Sequence, residues 1–232
     1  MIKNNRVIAV IPARAGSKSV IDKNIKLLAG KPLIAWPIDI AKQSRYIDRV
    51  IVSTDGEKIA TTAKAHGAEV YVRPDQLAQD NSLVIDCLRE LIVRLRSEGE
   101  QATMLILLEP TSPLRSLEDV DRIIEKLLSH DSAATFCEAE LNPHRAWKVE
   151  GDSVEPFIEG AIPWLPRQKQ PKAYQLNGAV YGFHIDKLPI EGTSILFGEI
   201  AAVTMPQERS IDIDNITHFA IAEEIIKGMS ND

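Results

Sequence analysis

Three cations and a run of small residues stand close together near the start of the chain: Ile11-Pro12-Ala13-Arg14-Ala15-Gly16-Ser17-Lys18, followed by Lys23-Asn24. Small side chains let backbone N–H groups approach a phosphate, and Arg14, Lys18 and Lys23 can neutralise its charge, so a triphosphate is the natural occupant. The spacing is not that of a Walker A loop, which needs Gly-x-x-x-x-Gly-Lys-Ser/Thr, nor that of a Gly-x-Gly-x-x-Gly turn, because only Gly16 is available. Far along the chain, Asp212 and Asp214 are two residues apart. On an extended segment both carboxylates point to one face, which suits a shared divalent cation, and Asp214 equally stands where it can cap a following helix. The five histidines are scattered, Cys87 and Cys137 have no second ligand at a metal spacing, and no Gly-x-Ser-x-Gly elbow exists. Zinc-enzyme and hydrolase chemistry are therefore poor readings.

These residues need a scaffold, and the hydrophobic pattern supplies one. Short apolar runs rich in β-branched residues fall at Arg6 to Pro12, Arg49 to Ser53, Glu69 to Val72, Met104 to Leu108 and Ala133 to Cys137. Between them, Leu83, Val84, Cys87, Leu88, Leu91, Ile92 and Leu95 make one helical face, with Asn81 or Ser82 as its cap. Val120, Ile123, Ile124, Leu127 and Leu128 make another, opened by a capping-box-like Ser116 and Asp119. Pro37 falls in or near the first turn of a helix over Leu33 to Ala41, or kinks it. Strand and helix alternate through the first 138 residues, which predicts an α/β fold around a mostly parallel sheet, with its ligand crevice beyond the carboxyl ends of the strands. Strand pattern returns at Gly178 to Phe183 and Ile200 to Met205, and a helix with Ile216, Phe219, Ala222, Ile225 and Ile226 follows. Residues 140–175, crowded with prolines and carrying Trp147 and Trp164, read as an arm or insert within a single domain spanning 1–232.

The chain has 232 residues, 44% of them hydrophobic, and a net charge of -6, so a general attraction to nucleic acid or to an anionic membrane is not expected. Both cysteines sit in apolar stretches, as buried thiols do, and no apolar run reaches signal or transmembrane length. A cytoplasmic protein is expected.

Taken together, Ile8-Ala-Val-Ile-Pro-Ala-Arg-Ala-Gly-Ser-Lys18, Lys23-Asn24, Ala29-Gly30-Lys31-Pro32-Leu33-Ile34, Val52-Ser53-Thr54-Asp55, Arg73-Pro74, Pro110-Thr-Ser-Pro-Leu-Arg115, Asn177-Gly-Ala-Val-Tyr181 and Ser210-Ile-Asp-Ile-Asp214 resemble the acylneuraminate cytidylyltransferases, in collinear order over nearly the whole chain. The resemblance implies a Rossmann-like nucleotidyltransferase fold and attack of a nine-carbon 2-keto-3-deoxy sugar acid on the α-phosphorus of CTP, with Mg²⁺ as cofactor and pyrophosphate as leaving group. By similarity, Arg14, Ser17, Lys23 and Asn24 hold the triphosphate, Arg14 and Lys23 act in catalysis, and Arg73 and Ser82 complete the nucleotide site. Asp212 and Asp214 bind the metal, and Glu109, Arg167, Asn177 and Gly178 line the sugar site. The family also implies a homodimer in which the arm reaches toward the neighbour's site.

Glu109 departs from the pattern, since sialic acid synthetases read Gln-Pro-Thr-Ser-Pro-Leu-Arg. A carboxylate accepts hydrogen bonds without donating them, which points to an acceptor that differs from N-acetylneuraminic acid in its hydroxyl or amino substituents. The alternatives are a related enzyme such as a 3-deoxy-manno-octulosonate cytidylyltransferase, or a non-catalytic nucleotide-binding module on the same fold.

Overall fold

The computed structural model describes residues 1–229. In chain order the strands are β1 (Val7–Pro12), β2 (Leu27–Leu28), β3 (Lys31–Pro32), β4 (Ile47–Thr54), β5 (Glu69–Val72), β6 (Met104–Leu107), β7 (Ser132–Glu138), β8 (Trp147–Glu150), β9 (Ser153–Pro156), β10 (Tyr174–His184) and β11 (Ile200–Thr204). The helices are α1 (Ala35–Gln43), α2 (Glu57–Ala65), α3 (Val84–Ser97), α4 (Leu117–Lys126) and α5 (Ile216–Met229). Seven strands form one sheet in the order β11-β7-β10-β6-β1-β4-β5. All its pairings are parallel except the two made by β10, which runs against both β6 and β7.

The sheet is buried on both faces, which is why its strands read as continuous apolar runs. On β1, alternation places Val7, Ala9 and Ile11 against Ile34 and Ile38 near α1, Ile59 of α2 and Ile123 of α4. Ile8 and Val10 face the other way, onto Leu88, Leu91 and Leu95 of α3 and Phe183 of β10. A third cluster joins Leu28, Leu33 and Leu114 to Ile213 and to Phe219, Ala222 and Ile226 of α5.

Local chemistry sets the element ends. Ser116 accepts from the Asp119 N–H at 3.2 Å while the Asp119 carboxylate accepts from the Ser116 N–H at 2.8 Å, the reciprocal capping box expected for α4. Pro37 sits in the first turn of α1, where its missing N–H costs no helical hydrogen bond. The expected cap of α3 is not used: α3 starts after Leu83 without a side-chain cap, because Ser82 Oγ donates to the Gln76 carbonyl at 3.2 Å and accepts from Gln79 N–H at 3.1 Å. β10 begins at Tyr174, earlier than its apolar pattern, because its pairing with β7 breaks after Leu176 and resumes at Tyr181. Gly178 (φ +70°) lies within that bulge, and a Cβ there would meet Ser112 Oγ at 3.2 Å.

Between β7 and β10 the chain leaves the sheet. β8 and β9 pair as an antiparallel ribbon, and the Trp147 and Trp164 rings lie 5.8 Å apart beside it. Cys87 and Cys137 are buried free thiols, and no described helix is long and apolar enough to cross a membrane.

Candidate active site

β1 is the strand at which the order of the sheet reverses: β4 follows on one side of it and β6 on the other. A parallel sheet opens a crevice at such a point, beyond the carboxyl ends of its strands. Three segments line it here, the loop after β1, the stretch from Arg73 into α3 after β5, and Glu109–Thr111 after β6. The resulting cavity of about 360 Å³ is lined by Arg14, Ser17, Lys18, Lys23, Asn24, Arg73, Ser82, Glu109 and Thr111, among others.

The loop after β1 is held from behind. Ala15 N–H donates to Asp55 Oδ1 at 2.7 Å, and Asn24 is buried with its amide donating to the Arg14 carbonyl at 3.0 Å. Asn24 thus shapes the loop, leaving the cations Arg14, Lys18 and Lys23 toward the cavity. Arg73 is 6% exposed, far from a solvated strand end, and its guanidinium donates to the Ser53 carbonyl at 3.0 Å and to Ser53 Oγ at 3.3 Å. Lys23 Nζ donates to the Ile213 carbonyl at 2.9 Å, bringing the amino-terminal loop against the aspartate pair 190 residues away.

Ile213 is fully buried against α5, so Asp212 and Asp214 on either side of it point away from the core. Asp214 does not cap α5; Asn215 accepts from His218 N–H at 3.0 Å and takes that place. The backbone of the pair is fixed by Ile213 N–H donating to the Thr111 carbonyl at 2.8 Å, and His218 Nδ1 lies 2.8 Å from the Asp212 carbonyl. Desolvation, together with the charge of Asp214, raises the Asp212 carboxyl above its ordinary range, against the hydrogen bond from Thr111. Two mutually repelling carboxylates beside a cationic cleft suit a small divalent ion that takes its other ligands from phosphate and water. No group of three or more potential metal-ligating side chains occurs among the described residues, so phosphate and water would have to supply the rest.

Glu109 is partly buried in the wall of the same cavity. Burial pushes its carboxyl up to about 7, in spite of Arg115, Arg73 and Lys23 nearby and with a further push from Asp212. Arg115, six residues on, is the organising residue that motif reading passed over. It is 3% exposed, its Nε donates to the Ala179 carbonyl at 2.8 Å, and Nη2 donates to the carbonyl of Glu109. One guanidinium therefore ties the segment after β6 to the bulge of β10. Its place as the last residue of Pro110-Thr-Ser-Pro-Leu-Arg115 is the sequence signal that could have found it.

The four expected sugar-site residues are not gathered in one place. Asn177 is 5% exposed and its amide is committed inward, accepting from Thr135 Oγ1 at 2.7 Å and donating to Ser210 Oγ at 2.9 Å. Gly178 adjoins it against Ser112. Arg167 is exposed in a 3-10 turn of the arm and lines a separate depression with Glu138, Glu140, Arg145 and Lys172.

The fold is shared with nucleotidyltransferases. A CMP:2-keto-3-deoxy-manno-octonic acid synthetase complexed with CTP superposes with a TM-score of 0.71 at 16% identity, covering 97% of this chain and 100% of that one. A 4-diphosphocytidyl-2C-methyl-D-erythritol synthase from Anaerococcus prevotii gives 0.66 at 14% identity, covering 97% and 98%. Within that class the sequence is more specific: residues 8–197 match the family described as cytidylyltransferase, and the chain belongs to it. It is 34% identical to the CMP-N,N'-diacetyllegionaminic acid synthase of Legionella pneumophila over 96% of this chain and 97% of that one. It is also 31% identical to an N-acylneuraminate cytidylyltransferase of Streptococcus agalactiae, spanning 91% of this chain and about half (51%) of that longer protein.

Proposed function

We propose that this cytidylyltransferase-family enzyme activates a sialic-acid-like nine-carbon 2-keto-3-deoxy sugar acid with CTP, giving the CMP-sugar and pyrophosphate. The observation that carries the reading is the convergence of Arg14, Ser17, Lys23, Arg73, Ser82 and Glu109 on one cavity, with Lys23 bridging to the Asp212–Asp214 segment. In the reaction the anomeric hydroxyl oxygen of the sugar forms a bond to the α-phosphorus and gives up its proton to water, the bond from that phosphorus to the bridging oxygen breaks, and pyrophosphate leaves with the electron pair. Little covalent work falls to the protein, so in-line placement and fixed positive charge do most of the catalysis. Arg14 and Lys23 meet the charge that develops on the phosphates, while the buried Arg73 and the half-buried Ser82 form the wall for the nucleoside. Asp212 and Asp214 would hold Mg²⁺, which would supply further charge neutralisation at the phosphates.

For the acceptor, Glu109 would accept from a substituent that donates a hydrogen bond, and its departure from the sialic acid synthetase motif makes a legionaminic-type acid the first choice to test. Arg167 grips the sugar carboxylate bidentately from the arm of a second copy, because it lies away from its own cavity. CTP use and buried free thiols agree with a cytoplasmic site of action. Pyrophosphate release with CTP and Mg²⁺ should be measured over purified legionaminic, pseudaminic, deaminated and N-acetylneuraminic acids and the eight-carbon octulosonate. Highest kcat/KM is expected with a legionaminic-type acid. Equal or better turnover of N-acetylneuraminate would sink the acceptor assignment, and preference for the octulosonate would replace it. Absence of CTP-dependent release with every acid would remove the enzymatic reading.

A further inference from the structure

Two of the three cations in the loop after β1 already have an anionic partner. Arg14 Nη1 lies 2.7 Å from Asp80 Oδ1, and Lys18 Nζ pairs with the other oxygen of the same carboxylate. Asp80 comes from the opposite wall, the segment between β5 and α3, whose Gln79 and Ser82 line the cavity across from Ser17 and Lys18. The contact therefore spans the mouth of the cleft. A carboxylate that presents two oxygens to a guanidinium and an ammonium offers the same pattern as two phosphate oxygens. The lysine and then the arginine hold the Asp80 carboxyl below its ordinary range. At 49% exposure the pair is nonetheless in water, where such contacts are weak and easily exchanged for a more highly charged anion.

We infer that Asp80 is a latch: its carboxylate stands in for phosphate on Arg14 and Lys18 across the mouth of the cleft, and a triphosphate must displace it from both to be seated. Asp80 thereby sets nucleotide affinity by competition for the two cations. The inference rests on the CTP reading above and adds to it a residue that opposes binding.

The test is calorimetric titration of the full chain with CTP, inorganic pyrophosphate and cytidine, each with Mg²⁺, in the wild type, Asp80→Asn and Asp80→Ala. Loss of one exposed competing ion pair should tighten CTP and pyrophosphate roughly two- to fivefold, with the gain shrinking at high salt. Cytidine, which carries no phosphate, should bind all three proteins alike. Unchanged or weaker binding of CTP and pyrophosphate by both variants would overturn the latch and make Asp80 a support that orients Arg14. Tightening that extends equally to cytidine would overturn it too, since the effect would not lie at the phosphates. If the wild type binds neither CTP nor pyrophosphate, the nucleotide reading fails and the latch with it, an outcome distinct from normal binding that the variants leave unaltered.

Discussion

Glu109 has three cations for neighbours, yet desolvation outweighs them and its carboxyl rises from 4.5 to about 7. In the unfolded chain the same group ionises near 4.5, so folding takes up a proton between about 4.5 and 7. The stability this confers is fully present below 4.5 and lost as pH rises through 7. Glu109→Gln, which never ionises, should match the wild type near pH 4.5 and exceed it at pH 8 by up to about 3 kcal/mol in urea unfolding of the ligand-free protein. Equal destabilisation at both pH values would mean that the ionised carboxylate is well paired. The carbonyl of the same residue is held by Arg115, whose guanidinium burial lowers to about 10, leaving it charged at neutral pH. Glu109 is visible in the sequence as a departure from a motif. Its raised acidity is not, because that depends on which side chains close over it.

At the scale of elements, the short extended segment 211–214 shows how packing aims a site. Ile213 enters the cluster of Leu33, Leu114 and Phe219, and its neighbours are turned outward by simple alternation. Truncating that anchor by Ile213→Ala should cost about 2–4 kcal/mol of stability. It should also raise the Mg²⁺ concentration for half-maximal turnover, because Asp212 and Asp214 lose their common orientation. Urea melts and a metal titration measure the two effects, and an unshifted metal titration would show that the segment is held by Thr111 and His218 alone. The alternation of Asp, Ile and Asp is readable from sequence and leaves a metal pair and a helix cap equally open. Asn215 settles the helix start, and it does so through backbone geometry that spacing does not reveal.

At the scale of the molecule, the arm carries an apolar surface that its own chain does not cover. Trp164 is 83% exposed, and Val149, Val154, Phe157 and Ile162 around it are exposed as well. Such a patch fits a second copy, so light scattering should give a mass of twice 25.7 kDa, and Trp164→Ser should shift the population toward monomer with loss of sugar-acid affinity but little change in CTP binding. A wild type that scatters as a monomer would contradict both the dimer and the assignment of Arg167 to a neighbour's site.

By itself the sequence determined the layered α/β fold and which cations line the cleft after β1, because apolar periodicity and the small, cationic loop are local properties. The strands over Val7–Pro12 and Glu69–Val72 and the capping box of α4 were legible for that reason. The tertiary structure alone decided that Asn177 turns inward, that Arg115 ties the Glu109 carbonyl to that of Ala179, that Asp80 faces Arg14 and Lys18, and that Arg167 lies apart from Glu109. The first two depend on buried polar groups finding partners 6 to 64 residues away, and the last two on how the loops are brought together. That choice is made by the sheet order, which brings the loops after β6, β1, β4 and β5 to one edge, and no local pattern encodes it.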